Sequence, residues 1–449
     1  MAISEAAEPL DLLQGLIALA SRLGADAADA VLLKSSTLDA GCRLGEPEEL
    51  TRAESRDLGL RVFVGARQAN VSTTDISKGA LAPLAERAIA MARAVPEDPY
   101  AGLADPARLA RDWPSLDLAD AGEPGPDELM ERALAAEDAA RAVAGVTNSE
   151  GAGAGWGRSE AMLVTSDGFA GGYASSRYSV SAAALAGEGT GMERDYWWSS
   201  AVHEADLEDP TAVGRRAGER AVRRLGARKA RSGQVPVVYD TRISGGLLSR
   251  LAGAISGPSI ARGTSFLKDA LETAVFASGS TVVDDPHRAR GLRSRPFDGE
   301  GVATERRAIV ADGVLQTWLL DSRSARQLDL ASTGHASRGT SGPPSPSCSN
   351  LWLEPGAESA EALIGGVTSG LYVTELIGMG VNMVTGDYSR GAAGFWIEQG
   401  EIAYPVSEVT VAGNLREMFR HLTPASDLEF RYGVDSPTVR IDGMTVAGR

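Results

Sequence analysis

RAIVADGVLQTWLL, residues 307–320, is a pair of apolar runs folded around Asp312-Gly313. That dipeptide suits a type I′ turn, whose two central residues need positive φ. Strands leaving so tight a turn lie antiparallel. The same design returns in GFWIEQGEIAYPV (394–406) around Gln399-Gly400, and in VRIDGMTV (439–446) around Asp442-Gly443. VPVVYD (235–240) adds a short apolar strand ahead of the series. Successive hairpins argue for antiparallel sheet and against βαβ crossovers.

Working outward, the first half mixes helix and strand signals. Residues 8–23 have an amphipathic helical period, and 29–75 alternates as strands, most clearly in DLGLRVFVGARQANVSTTD (57–75). Ala-rich helices are expected at 79–94 and 126–144, with the Pro/Gly/Asp-rich stretch 95–126 as a surface loop between them. Strand patterning resumes over 150–205 with a turn at Asp167-Gly168, and a helix at 209–225 closes this half. The basic tract 214–231, broken by Glu219, reads as a solvated helix face or linker. The expected fold is α+β, a two-part chain with antiparallel sheets built from hairpins and flanking helices. The parts are 1–225, with a subdomain break near 120, and a β-rich 226–449, joined near 226–234.

Composition narrows the function. The 449 residues are 43% hydrophobic and 23% charged, as in soluble globular proteins. A formal charge of −16 and a pI near 4.9 repel phosphate backbones and anionic lipid, so direct nucleic-acid or membrane binding is disfavoured. The N-terminal acids do not suit a signal peptide, and no apolar run is long enough to span a bilayer. Cys42 and Cys348 lie too far apart to suggest a disulfide framework and read as free thiols in a reducing cytoplasm.

Three segments invite a chemical reading. GGLLSRLAGAIS (245–256) places Leu247, Leu248, Leu251, Ala252 and Ile255 on one side of a helical period, leaving Ser249 and Arg250 as its only polar side chains before Ser256. Neither is a metal ligand or a ready base. STGHASRGTSGPPSPSCSN (332–350) combines His335 and Cys348 in a long loop, where a thiol and an imidazole could pair as nucleophile and base. An irregular lid with a hydrogen-bonded His335 is the plainer reading. LYVTELIGMGVNMVTGDYSRGAAGFWIE (371–398) embeds Glu375, Asn382, Asp387, Ser389 and Arg390 in a Gly-rich apolar run. Either Asp387 and Arg390 pair to hold a turn, or the segment forms a cleft wall whose sheet edge accepts a peptide by strand addition. The four histidines, His203, His287, His335 and His421, form no HExxH-type pair.

Longer strings carry a family resemblance. FDGEGVATERRAIVADGVLQTWLLDSRSARQL (297–328), STGHASR (332–338), 371–415 and TVRIDGMTVAG (438–448) resemble the TldE (PmbA) branch of the TldD/PmbA family. ESRDLGLRVFVGAR (54–67) and LVTSDGFAGGY (163–173) extend the likeness through the first half. The resemblance implies a cytoplasmic TldD–TldE pair, a zinc metallopeptidase acting on unfolded or small peptides. The TldD branch carries its zinc ligands in HExxxH on a helix and in a late cysteine. Laid on that motif, this chain has Ser249, Arg250 and Ala254 at the two His and the Glu positions, and 427–442 contains no cysteine. The resemblance therefore implies no catalytic or metal residue in this chain, zinc in a TldD-type partner, and peptide-cleft residues among Glu375, Asn382, Asp387, Ser389 and Arg390. Self-association in the absence of that partner is left open. The competing expectations are an independent hydrolase built on His335 and Cys348, and a protein-contact modulator of DNA gyrase.

Overall fold

The computed structural model describes residues 3–448, with side chains from residue 9 onward. Six strands, β1 (Ala27–Arg43), β2 (Glu46–Val64), β3 (Arg67–Thr73), β4 (Val146–Thr165), β5 (Ala170–Ala186) and β6 (Glu193–Ala201), make one antiparallel sheet in the order β3-β2-β1-β4-β5-β6. Strand alternation sends even-numbered residues of β1 to one face and odd-numbered ones to the other. Ala28, Ala30 and Leu32 meet helices α1 (Ile3–Arg22) and α2 (Lys78–Ala94), while Leu38 and Ala40 meet α3 (Pro126–Arg141) and α4 (Pro210–Arg223). Two cores therefore share a single sheet. The odd-numbered face, with Asp29 and Val31, receives the C-terminal half.

That half opens with β7 (Gly233–Tyr239) and helix α5 (Thr241–Ala254), whose first turn is capped by Asp240 accepting from the Arg242 amide at 2.9 Å. A sheet of short strands follows: β8 (Val282–Asp285), β9 (Arg307–Ala311) and β10 (Val314–Leu315). A two-stranded ribbon, β11 (Ala336–Ser337) with β12 (Ser345–Pro346), and then β13 (Asn350–Leu353) come next. The remaining strands are β14 (Ser369–Ile377), β15 (Asp387–Glu398), β16 (Glu401–Asn414), β17 (Leu422–Pro424), β18 (Val434–Asp435) and β19 (Val439–Ala447). β16, β15, β14, β7 and β19 pair in sequence, and β19 pairs again with β16, so the five close on themselves. The apolar face of α5, Leu247, Leu248, Leu251 and Ala254, is buried in the core they enclose with the short-strand sheet.

The α+β architecture and its hairpins stand as expected. Asp312 (φ 47°) with Gly313 (φ 78°), and Gln399 (φ 52°) with Gly400 (φ 83°), form the turns read from the sequence. Five expectations are corrected. VRIDGMTV is no hairpin but part of one strand, β19. The register against β7 jumps from Ile441↔Val237 to Met444↔Val235, leaving Asp442 and Gly443 as a bulge with Gly443 at φ 80°. The second arm of 307–320 leaves its ladder after Leu315. Two strand pairs are parallel, β7 with β14 and β13 with β18. Residues 95–126 are a strap between the halves rather than a free loop: Leu116 and Leu118 are buried, and Arg326 donates to the carbonyls of Tyr100, Leu103 and Gly102 at 2.8–2.9 Å. The basic tract is not simply solvated, because Arg220 and Arg224 turn inward to acids described below.

Among the described residues no helix is long and apolar enough to cross a membrane. The 338–344 arm lies across the odd-numbered face of the sheet, where a Cβ built on Gly59 would stand 2.4 Å from the Thr340 carbonyl oxygen. Gly59→Ala should displace this arm at a cost of about 1–3 kcal/mol. A lower melting temperature and faster amide exchange confined to 338–344 are the expected readouts.

Candidate functional site

The α5 positions laid on the metal-binding motif lack donors. Ser249 is exposed, with Oγ donating back to the Gly245 carbonyl at 3.3 Å, while Ala254 is 1% exposed in the core. Arg250 is half-buried, its charge felt by the Tyr388 hydroxyl. A hydroxyl, a guanidinium and a methyl cannot hold zinc, and a permanent cation opposes a dication. Segment 427–442 supplies no replacement. Asp427 is occupied by the Thr438 amide and hydroxyl at 2.9 and 2.7 Å, and Asp435 by the amides of Arg431, Tyr432 and Gly433. Among the described residues no three His, Cys, Asp or Glu side chains converge as a ligand set. The site does not fit the metal.

The 371–398 residues separate into two groups. β14 is flanked by β7 and β15, and β15 by β14 and β16, so the barrel offers no edge for strand addition over 371–373. Past Val373 the β14–β15 hairpin projects, with Ile377, Met379 and Val384 exposed at its end. Asn382 organises that end: its Oδ1 accepts from the amides of Val384 (2.9 Å) and Thr385 (3.4 Å). Asp387 accepts from Thr385 Oγ1 at 2.7 Å and Asn414 Nδ2 at 3.2 Å, bonds that hold its carboxyl below the ordinary range. Arg390 Nε donates to the Ile377 carbonyl at 3.3 Å. Asp387 and Arg390 form no ion pair, because residues three apart on a strand point to opposite faces. Ser389 is exposed beside them.

Glu375 belongs elsewhere, in a polar cluster between the halves. Its carboxylate accepts from Arg224 of the basic tract, which also reaches Glu193 at 3.3 Å. Nearby, the nearly sealed Arg242 donates to Asp195 at 2.6 Å and to the carbonyls of Tyr196 and Thr374 at 2.8 Å. Arg220 lies 3.6 Å from both Asp195 and Asp240.

The 332–350 loop contains no activated thiol. His335 is buried with Nδ1 2.8 Å from Thr333 Oγ1 and Nε2 3.3 Å from Asp284. Cys348 is also buried, burial raises its thiol pKa, and it shares no hydrogen bond with His335. What the loop delivers is Arg338, which pairs with Asp29 of β1. Asp29 also accepts from Arg61 Nε at 2.9 Å, and Arg61 stands 3.9 Å from Glu300. Sequence patterning missed this group. Its signal was an arginine inside the apolar LGLRVFV (58–64) and two acids inside FDGEG (297–301).

Burial alone would raise the Asp29 pKa, but Arg338 and Arg61 outweigh it and hold the group below its ordinary value. Burial, then the Glu300 charge, pushes Asp298 up to about 7. A carboxyl raised on folding binds extra protons in the native state, so its contribution to stability is lost as pH rises from about 4 to about 7. Asp298→Asn should flatten that decline in urea melts taken between pH 5 and 8. An unchanged slope would mean that Asp298 titrates normally.

A closed five-stranded barrel sharing one core with helix α5 and a sheet of short strands, joined to a helix-backed six-stranded sheet, defines a two-part α+β protein whose helix α5 lacks metal donors. Known proteins share this architecture. PmbA/TldA metallopeptidase domain 1 matches residues 28–92, the central domain 119–225 and the C-terminal domain 232–448. Metalloprotease PmbA of Escherichia coli O157:H7 is 40% identical over 94% of this chain and 93% of its own length. A Bacteroides thetaiotaomicron structure, described as a candidate modulator of DNA gyrase, superposes with TM-score 0.90 at 31% identity, covering 99% of each chain. TldE from Thermococcus kodakarensis shares the fold, with TM-score 0.88 at 19% identity over 97% of this chain and all of its own. The chain belongs to the PmbA/TldD family.

Proposed function

We propose that this chain is the non-catalytic subunit of a cytoplasmic two-subunit zinc metallopeptidase that processes unfolded or small peptides, with the zinc chemistry in a TldD-type partner. The observation that carries the reading is α5. The helix is kept, capped by Asp240 and packed through Leu247, Leu248 and Leu251, while Ser249, Arg250 and Ala254 offer no ligand or base. Architecture without donors fits a chain whose role is assembly and substrate positioning. An independent hydrolase on the 332–350 loop has no support in the geometry, because the imidazole is engaged at both nitrogens and the thiol is sealed.

Within this reading the projecting β14–β15 hairpin is the segment offered to a peptide. Ser389 and the half-buried Arg390 supply its polar surface, Asn382 and Asp387 hold its shape, and Glu375 ties it to the N-terminal half. Copurification with a TldD-type partner, followed by metal analysis, tests the division of labour: zinc should stay with the partner, and this chain alone should hold none in stoichiometric amount. One tightly bound zinc in the isolated chain would overturn it.

Ser249→His with Arg250→Glu and Ala254→His should yield weak metal binding at most and no useful peptidase activity, since the late third ligand is still missing. Robust hydrolysis would show that the third ligand is not needed. In the assembled pair, Arg390→Ala should lower kcat/KM for peptides about tenfold while complex mass and melting temperature hold. Cleavage at the unmodified rate would remove this hairpin from the cleft.

A further inference from the structure

The odd-numbered face of the N-terminal sheet and the C-terminal half do not meet flush. Between them lies a partly open cavity of about 100 Å³, walled on its apolar side by Val31, Leu33, Leu163 and Phe297. That space suits a few waters or a molecule of a few heavy atoms.

The polar side is less ordinary. Arg295 and Arg338 both line the cavity. The Arg338 side chain is 2% exposed; its terminal nitrogen meets Asp29, yet its Nε is buried without an acceptor. Arg295 gives its two terminal nitrogens to the carbonyls of Ala336 and Ser347 at 3.0 Å, and its Nε is likewise buried without an acceptor. Two buried guanidinium N–H groups on this wall thus lack a protein acceptor, which an acceptor bound in the cavity would supply. Asp298 shares the cavity wall but does not serve them. One of its oxygens takes the amides of Glu300 and Val302 at 2.9 Å, and the other takes the amide of Ala336 at 3.0 Å.

We propose that this cavity binds a small carboxylate, its head between Arg295 and Arg338 and its short apolar tail against Leu33, Leu163 and Phe297. Planar carboxylate oxygens match guanidinium donors, and the apolar wall favours an anion with a hydrocarbon tail over a bare inorganic one. A free short-chain acid and the C-terminus of a peptide present the same chemistry. The inference is independent of the subunit reading above.

Isothermal titration of the full chain with propionate and with its neutral isostere propionamide tests it. Propionate should bind saturably and propionamide should not. Arg295→Gln removes one donor. Ala161→Leu fills the cavity from β4 and touches none of the ion pairs, so it keeps the test valid if the arginine variant unfolds. Each folded variant should bind propionate about tenfold more weakly or worse. Absence of saturable binding to the unmodified chain, equal uptake of propionamide, or undiminished binding to the cavity-filled variant would overturn the proposal. Trialanine with a free C-terminus, set against its amidated form, separates the sources. Displacement of propionate by the free form alone identifies a peptide terminus, and displacement by neither identifies a free acid. Equal displacement by both forms would overturn the carboxylate assignment.

Discussion

The contact on which the rest depends is the buried charge pairing of Asp29 with Arg61 and Arg338. Asp29 and Arg61 sit opposite each other on β1 and β2, on the face away from the helices, and both are nearly inaccessible. Neither charge could remain there alone, because removing one partner of a buried pair leaves an uncompensated ion costing several kcal/mol. Arg338 arrives from the other half of the chain and contributes the second cation. The sheet face is therefore complete only when the 332–350 arm is docked, and the arm is fixed only when the sheet is formed. A second charged seam, from Arg242 through Asp195 to Arg220, repeats this logic at the other end of the interface.

Those seams join the two parts of the chain. The apolar cores are separate: one under α1 and α2, one under α3 and α4, one around α5. What links them is mostly polar, with the aromatic contact of Phe297 to Phe169, Trp113 and Tyr173 as the main apolar exception. Charged seams resist sliding more than oily ones, since each donor has a fixed acceptor. An assembly that must present a cleft in constant register to a partner would use such a seam well.

Much of the fold was legible in the sequence wherever local chemistry decides local structure. Asp312-Gly313 and Gln399-Gly400 made their turns because the second position, a glycine, takes positive φ without steric cost. Asp442-Gly443 carried the same signature and made a bulge instead, since β7 and β16 lay ready to pair with both flanks of β19. No local rule distinguishes those outcomes. The emptiness of α5 was likewise legible, because the absence of a ligand needs no third dimension. The Asp29 cluster was not, because its members, Asp29, Arg61, Glu300 and Arg338, come from four segments of the chain. Arg390 and Asp387 looked like a pair by proximity, and strand alternation parted them.

The ring closure between β16 and β19 imposes an order of events on synthesis. Strand β7 emerges early, near residue 235, but its two neighbours in the barrel are Leu371–Val373 and Val439–Val446. Through roughly 130 residues of translation, about 7–27 s at ordinary elongation rates, β7 has neither partner, and β19 follows only about 65 residues after that. The N-terminal sheet, finished by Ala201, has no such wait and can stand as the platform while the rest is made. Contacts of such long sequence separation are slow to close. The chain thus spends its nascent life as a folded half trailing an apolar, unpaired strand, and that interval is when it most needs protection from aggregation.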